Sequence, residues 1–120
     1  MKPGLLHLSL IALVTATAFG GERGKMQREV WKEIDGSGTW HLKNDAKFNQ
    51  GPDVTELIEG ISPPENAGDN YGQRLRGYLH APQSGEYRFY IAGDDNCELW
   101  LGESDSKFSA AKISWIVGLG

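Results

Sequence analysis

One cysteine, Cys97, serves the whole 120-residue chain. No internal disulfide can form, and no cysteine-rich zinc site exists. Histidine is scarce too: His7, His41 and His80 lie far apart, and no His-Glu-x-x-His run occurs. A Gly-x-Ser-x-Gly elbow for a serine nucleophile is missing. Basic residues number 12 against 16 acidic ones, giving a net charge of −4. A mildly acidic chain lacks the basic patch that nucleic acid or an anionic membrane surface requires. No apolar run reaches the ~20 residues of a membrane-spanning helix.

The longest apolar run lies near the start. Residues 5–16 are interrupted only by His7, Ser9 and Thr15, charge is absent from Pro3 to Gly21, and Met1-Lys2 supplies a positive beginning. Ala16-Thr17-Ala18 has the small-x-small form that a signal peptidase accepts. This pattern predicts an export leader over residues 1–18 and a secreted or extracytoplasmic product, at the cell surface or in a periplasm. No cysteine near the cleavage point offers a lipid anchor. Residues 19–27, rich in glycine and charge, are expected to be a flexible lead-in. Residues 28–120 suffice for one domain.

Sixteen glycines and five prolines favour frequent tight turns over long helices. Residues 28–34 fit a first strand, residues 39–48 fit either a short helix or an irregular loop, and Leu57, Ile58 and Ile61 suggest another strand. Residues 63–72 read as a long surface loop. Period-two alternation then becomes strict. Leu75, Gly77 and Leu79 alternate with Arg74, Arg76, Tyr78 and His80. Tyr87, Phe89 and Ile91 alternate with Glu86, Arg88 and Tyr90, and Cys97, Leu99 and Leu101 with Glu98 and Trp100. Such alternation marks strands with one buried face, and the short turns between the three runs predict an antiparallel meander. Ile113, Trp115 and Val117 suggest a further strand. The arginine face is expected in solvent, and Gly77 is expected to admit a bulky neighbour. The fold class expected is all-β, an antiparallel sandwich or barrel.

The segments Leu75-Arg76-Gly77-Tyr78-Leu79, Ser84-Gly85-Glu86-Tyr87-Arg88-Phe89 and Gly93-Asp94-Asp95-Asn96-Cys97-Glu98-Leu99-Trp100-Leu101, in this order, resemble the PA-fourteen domain, named after the anthrax protective antigen. The resemblance is detailed over residues 68–115 and looser over residues 28–61. It implies a β-barrel or sandwich that binds a glycan or polysaccharide through a calcium ion. The ion is held by two consecutive aspartates joined by a cis peptide, which match Asp94 and Asp95, with Asn96 among the groups facing the sugar. The family usually shows Asp-Gly where this chain has Leu101-Gly102. It also continues for several more strands, so residues 28–120 look like a truncated domain, a product or fragment lacking its C-terminal strands.

Adjacent side chains on an extended chain point to opposite faces, so two neighbouring carboxylates need a special corner to share one ion. Calcium suits them because it takes several hard oxygen ligands in a flexible shell, and sugar hydroxyls can complete it. Gly93-Asp94-Asp95-Asn96 also has the composition of an ordinary hairpin turn. The alternative is therefore a non-catalytic structural or protein-interaction module in which the aspartates serve the turn alone, or the remnant of a larger secreted enzyme or adhesin. No enzyme activity is expected. Cys97 alternates onto the apolar face, where a thiolate is disfavoured. The four tryptophans suit packing as well as sugar stacking, and Trp100 is expected to be exposed or to face a second layer.

Overall fold

The computed structural model describes residues 4–9 (backbone), 24–64, 68–79, 83–93, 95–102 and 110–118. Its elements are β1 (Gly4–Ser9), β2 (Lys25–Lys32), α1 (Thr39–Asn44), α2 (Ala46–Gln50), β3 (Val54–Glu59), β4 (Tyr71–Leu79), β5 (Cys97–Gly102) and β6 (Ala111–Ile116). All the strand pairings are antiparallel, in one six-stranded sheet of order β3-β2-β4-β1-β5-β6. The fold class is all-β, and the helices among the described residues are two short ones.

Strand β2 alternates cleanly. Met26, Arg28 and Val30 occupy one face and Gln27, Glu29 and Trp31 the other, and both faces are largely covered. It pairs with β3 from Lys25↔Glu59 to Val30↔Val54, and with β4 from Gln27↔Arg76 to Lys32↔Tyr71. The strand thus extends three residues, Lys25 to Gln27, into the stretch expected to be a flexible lead-in.

Beyond β2 the chain turns at Glu33, in left-handed backbone with φ 56°, and Ile34 N–H donates to the Asn70 carbonyl at 2.8 Å. The segment open to either a helix or a loop forms two short helices. Leu42 of α1 is fully buried with Trp31 and Ile34, and Phe48 of α2 packs against this cluster. Gly72 is needed beneath α1: a Cβ there would lie 2.8 Å from Leu42 Cδ2. Asp45 caps α2, its carboxylate accepting from Lys47 N–H at 2.9 Å.

Two expectations need correction. The meander fails, because residues 86–92 form no strand. Tyr87 and Tyr90 are exposed there, and β4 and β5 are not neighbours. Both flank β1 and run antiparallel to it, hence parallel to each other. Second, Arg74 and Arg76 are 5% and 7% exposed, so their face is no solvated surface. The α1–α2 pair lies over it, and Glu29 sits in register with Arg74. Gly77 does admit a bulky neighbour, since a Cβ there would collide with Met26 Sδ.

Candidate functional site

The turn before β5 carries the residues that the sequence singles out. Asp94 lies outside the described residues, as does His80. Asp95 is exposed, and its carboxylate makes no hydrogen bond or ion pair with any described residue. Asn96 is half-buried, and its Oδ1 accepts from Gly118 N–H, 22 residues on. The turn is thereby clasped to the segment that follows β6. Gly118 packs closely on the turn: a Cβ would approach Asp95 O at 3.1 Å and Asp95 Cβ at 3.2 Å. The clasp fixes the corner while leaving the Asp95 carboxylate in solvent.

Two residues further on, Glu98 anchors the turn from behind. It is 6% exposed, yet ionised donors and polar hydrogens surround it. Thr39 Oγ1 donates to Oε1 at 2.9 Å, while Lys43 Nζ and Trp100 Nε1 donate to Oε2 at 2.8 and 2.9 Å. Lys112 stands 3.6 Å from Oε1. Burial alone would raise the Glu98 pKa. The hydrogen bonds from Lys43, Trp100 and Thr39 outweigh it, and the carboxyl is held below its ordinary value. Trp100 faces a second layer: its ring lies under Lys43 Nζ, 5.7 Å from the centroid.

A depressed carboxylate contributes stability above its unfolded pKa of ~4.3, and that contribution is lost as pH falls through the lower folded value. Glu98→Gln is accordingly expected to flatten the acid limb of a melting-temperature profile below about pH 4.5, with the parent losing more on acidification. Parallel acid limbs in the two proteins would show that Glu98 is not the group responsible.

A second constellation lies across the same face. Glu29 Oε2 accepts from Arg74 Nε at 2.5 Å, and Oε1 from Arg76 Nη2 at 3.0 Å. Arg74 lies over the rings of Trp31 and Phe48, with its guanidinium carbon 5.4 and 5.7 Å from their centroids. Burial lowers the Arg76 pKa, Glu29 raises it and neighbouring Arg74 lowers it further. These groups floor a pocket of about 300 Å³ whose rim is Asn49, Gln50, Gly51 and Pro52. On the opposite face, Arg28 donates to Gln73 Oε1 at 2.7 Å and to Glu56 Oε1 at 2.6 Å.

Cys97 is buried, and desolvation pushes its thiol pKa up, which disfavours the thiolate. Among the described residues, no group of three or more His, Cys, Asp or Glu side chains could hold a metal ion. The turn therefore offers one described acid, Asp95, with the Asn96 amide beside it. Hard oxygen of this kind fits calcium, and most of the shell would have to come from elsewhere. No described helix is long and apolar enough to cross a membrane.

The sequence did not reveal Glu98 and Glu29 as centres of charge. Their charged donors and Thr39 arrive from 45 to 59 residues away, while Gln27 beside Glu29 and Trp100 beside Glu98 donate locally. The one available signal was a lone acidic residue inside each alternating strand.

Comparison with known proteins adds a family and partial relatives. A family model described as the PA14 domain matches residues 26–106. Over 96 residues the chain is 30% identical to a mouse (Mus musculus) N-acetyl-beta-glucosaminyl-glycoprotein 4-beta-N-acetylgalactosaminyltransferase 1, covering 78% of the chain and 9% of that protein. Over 111 residues it is 27% identical to mouse Fibrocystin-L, covering 88% of the chain and 2% of that protein. The chain thus spans less than a tenth of the length of these curated relatives. No solved structure matches it significantly.

Proposed function

The chain belongs to the PA14 domain family, and from that premise we propose that it is a secreted carbohydrate-binding module whose sugar contact is organised by a calcium ion at Asp94 and Asp95. The observation that carries this reading is the Asp95 corner. An acidic side chain stands in solvent, unpaired with any cationic side chain among the described residues, on a turn clasped to the segment behind it by Asn96 and Gly118. A bound calcium ion would supply a Lewis-acidic centre for two vicinal sugar hydroxyls. The chain's own residues do the positioning. Glu98 ties the start of β5 to α1 through Thr39 and Lys43, and Asn96 sets the angle at which the turn leaves the sheet.

We assign no catalysis to this chain. The transferase named among its relatives aligns over only 9% of its length, and Cys97 is no candidate nucleophile. One observation favours the second reading, a structural or protein-interaction module without an ion. The Asn96 side chain accepts a backbone hydrogen bond, as a plain turn residue does.

Calcium titration separates the two readings. Under the first, calcium raises the melting temperature of the parent and gives a saturable heat in calorimetry, and Asp95→Asn abolishes both effects. A glycan array is then expected to show binding with calcium and none with chelator. A parent protein that melts identically in calcium and in chelator leaves only the second reading.

A further inference from the structure

Three buried charges stand apart from the Asp95 corner. Glu29 lies on β2 and Arg74 and Arg76 on β4, with β1 between β4 and β5. All three line the cavity of about 300 Å³ beside the end of α2. Phe48, half-buried, gives that cavity an aromatic wall. Gly51 ends α2 in backbone of φ 107°, so the last residues of the helix, Asn49 and Gln50, bring two exposed side-chain amides to the mouth.

The charges that line the cavity do not sum to zero, since two guanidiniums meet one carboxylate. Glu29 accepts from Arg74 Nε at 2.5 Å and from Arg76 Nη2 at 3.0 Å. The Arg76 pKa carries the net result of everything around it. Desolvation lowers it, Glu29 raises it, Arg74 lowers it again, and it ends below the ordinary arginine value. A buried cation in that condition gains from a further anion brought beside it. Arginine also matches a carboxylate fork to fork, which a neutral hydroxyl cannot copy.

The volume lies at the lower end of ligand pockets, which run from ~300 to ~1,000 Å³, and suits one small ring better than an extended chain. A buried floor with excess positive charge selects a carboxylate, and amides at the mouth select hydroxyls. An aromatic wall suits the C–H face of a sugar. We propose that this cavity is a second sugar subsite, selective for a carboxylate-bearing sugar ring of the uronic acid kind. Its carboxylate approaches Arg74 and Arg76, its hydroxyls meet Asn49 and Gln50, and a C–H face rests on Phe48. This subsite presupposes the carbohydrate-binding reading of the chain, and it needs no calcium ion.

The test is made on the full chain in chelator. Glucuronate, glucose and acetate are titrated in turn, and the backbone amide signals of residues 49–51 are followed by NMR. Glucuronate is expected to shift these signals saturably, and added salt to weaken its binding. Glucose lacks the charge and acetate lacks the hydroxyls, so each is expected to bind at least about tenfold more weakly. Gln50 is exposed, so its variants keep the parent's melting temperature and change the charge at the mouth alone. Gln50→Glu is expected to weaken glucuronate binding about tenfold and Gln50→Lys to strengthen it. The proposal is overturned if glucose or acetate binds as tightly as glucuronate, if the two Gln50 variants bind alike, or if no probe moves these signals. Glucuronate binding that appears only with calcium also overturns it, by placing the sugar at the Asp95 corner. The calcium titration of the parent succeeds or fails separately, because these measurements exclude the ion.

Discussion

Glu29→Ala is expected to cost about 3–5 kcal/mol, the penalty for removing one member of a buried ion-pair group and leaving its partners in low dielectric. Glu29 is 4% exposed and holds both Arg74 and Arg76, themselves 5% and 7% exposed, with one carboxylate. Domains of this size are typically stable by only ~5–15 kcal/mol, so the variant is expected to lose a large share of its margin or fail to fold at 37 °C. The cost comes from two buried guanidiniums losing their shared carboxylate more than from the pair's own attraction. A triple variant, Glu29→Leu with Arg74→Met and Arg76→Met, is therefore expected to recover most of the loss, since apolar groups of similar volume can replace a buried ionic group at little cost. Urea unfolding of the three proteins decides. A Glu29→Ala midpoint equal to that of the parent would mean that the charges are hydrated in solution.

The same trio shows why the sequence could be read only in part. Period-two alternation located β4 and β5, and it brought out β6 through Ile113 and Trp115, because alternation is a local property of an extended chain. It also marked residues 86–92, which form no strand. Alternation expresses a capacity to pair, whereas pairing needs a free edge. Both edges of β4 are occupied by β2 and β1, and both edges of β5 by β1 and β6. The arginine face of β4 was read as solvent because its residues are charged. Glu29 on β2 and the helices above reverse that reading, and neither is encoded within β4 itself. The family was legible because its segments stand in fixed order along the chain. The Asn96–Gly118 clasp was not, since nothing in the spacing ties a turn to a backbone N–H 22 residues later.

Trp31→Ala is expected to cost about 3–5 kcal/mol, the range for truncating a large buried aromatic side chain. Trp31 is 1% exposed at the centre of a cluster with Ile34 and Leu42, and Phe48 packs against it with ring centroids 5.0 Å apart. Arg74 lies over the same ring, so the cavity would also take away a contact of the buried charge group. Trp31→Phe separates volume from polarity. Trp31 Nε1 is buried and finds no hydrogen-bond partner among the described residues, a state that itself costs about 1–3 kcal/mol. Phenylalanine removes that orphaned donor while keeping most of the apolar surface, so its penalty is expected to be the smaller by at least ~1 kcal/mol. Urea midpoints at unchanged slope measure both variants. Equal penalties for phenylalanine and alanine would show that the indole nitrogen is satisfied, by water or otherwise. The effect reaches the Asp95 corner by a definite route. Leu42 seats α1 against Trp31, and α1 carries Thr39 and Lys43 to Glu98. Well below its melting temperature, Trp31→Phe should keep the calcium response proposed for the parent, because that chain of contacts survives. Trp31→Ala should weaken the response as α1 loosens from the sheet.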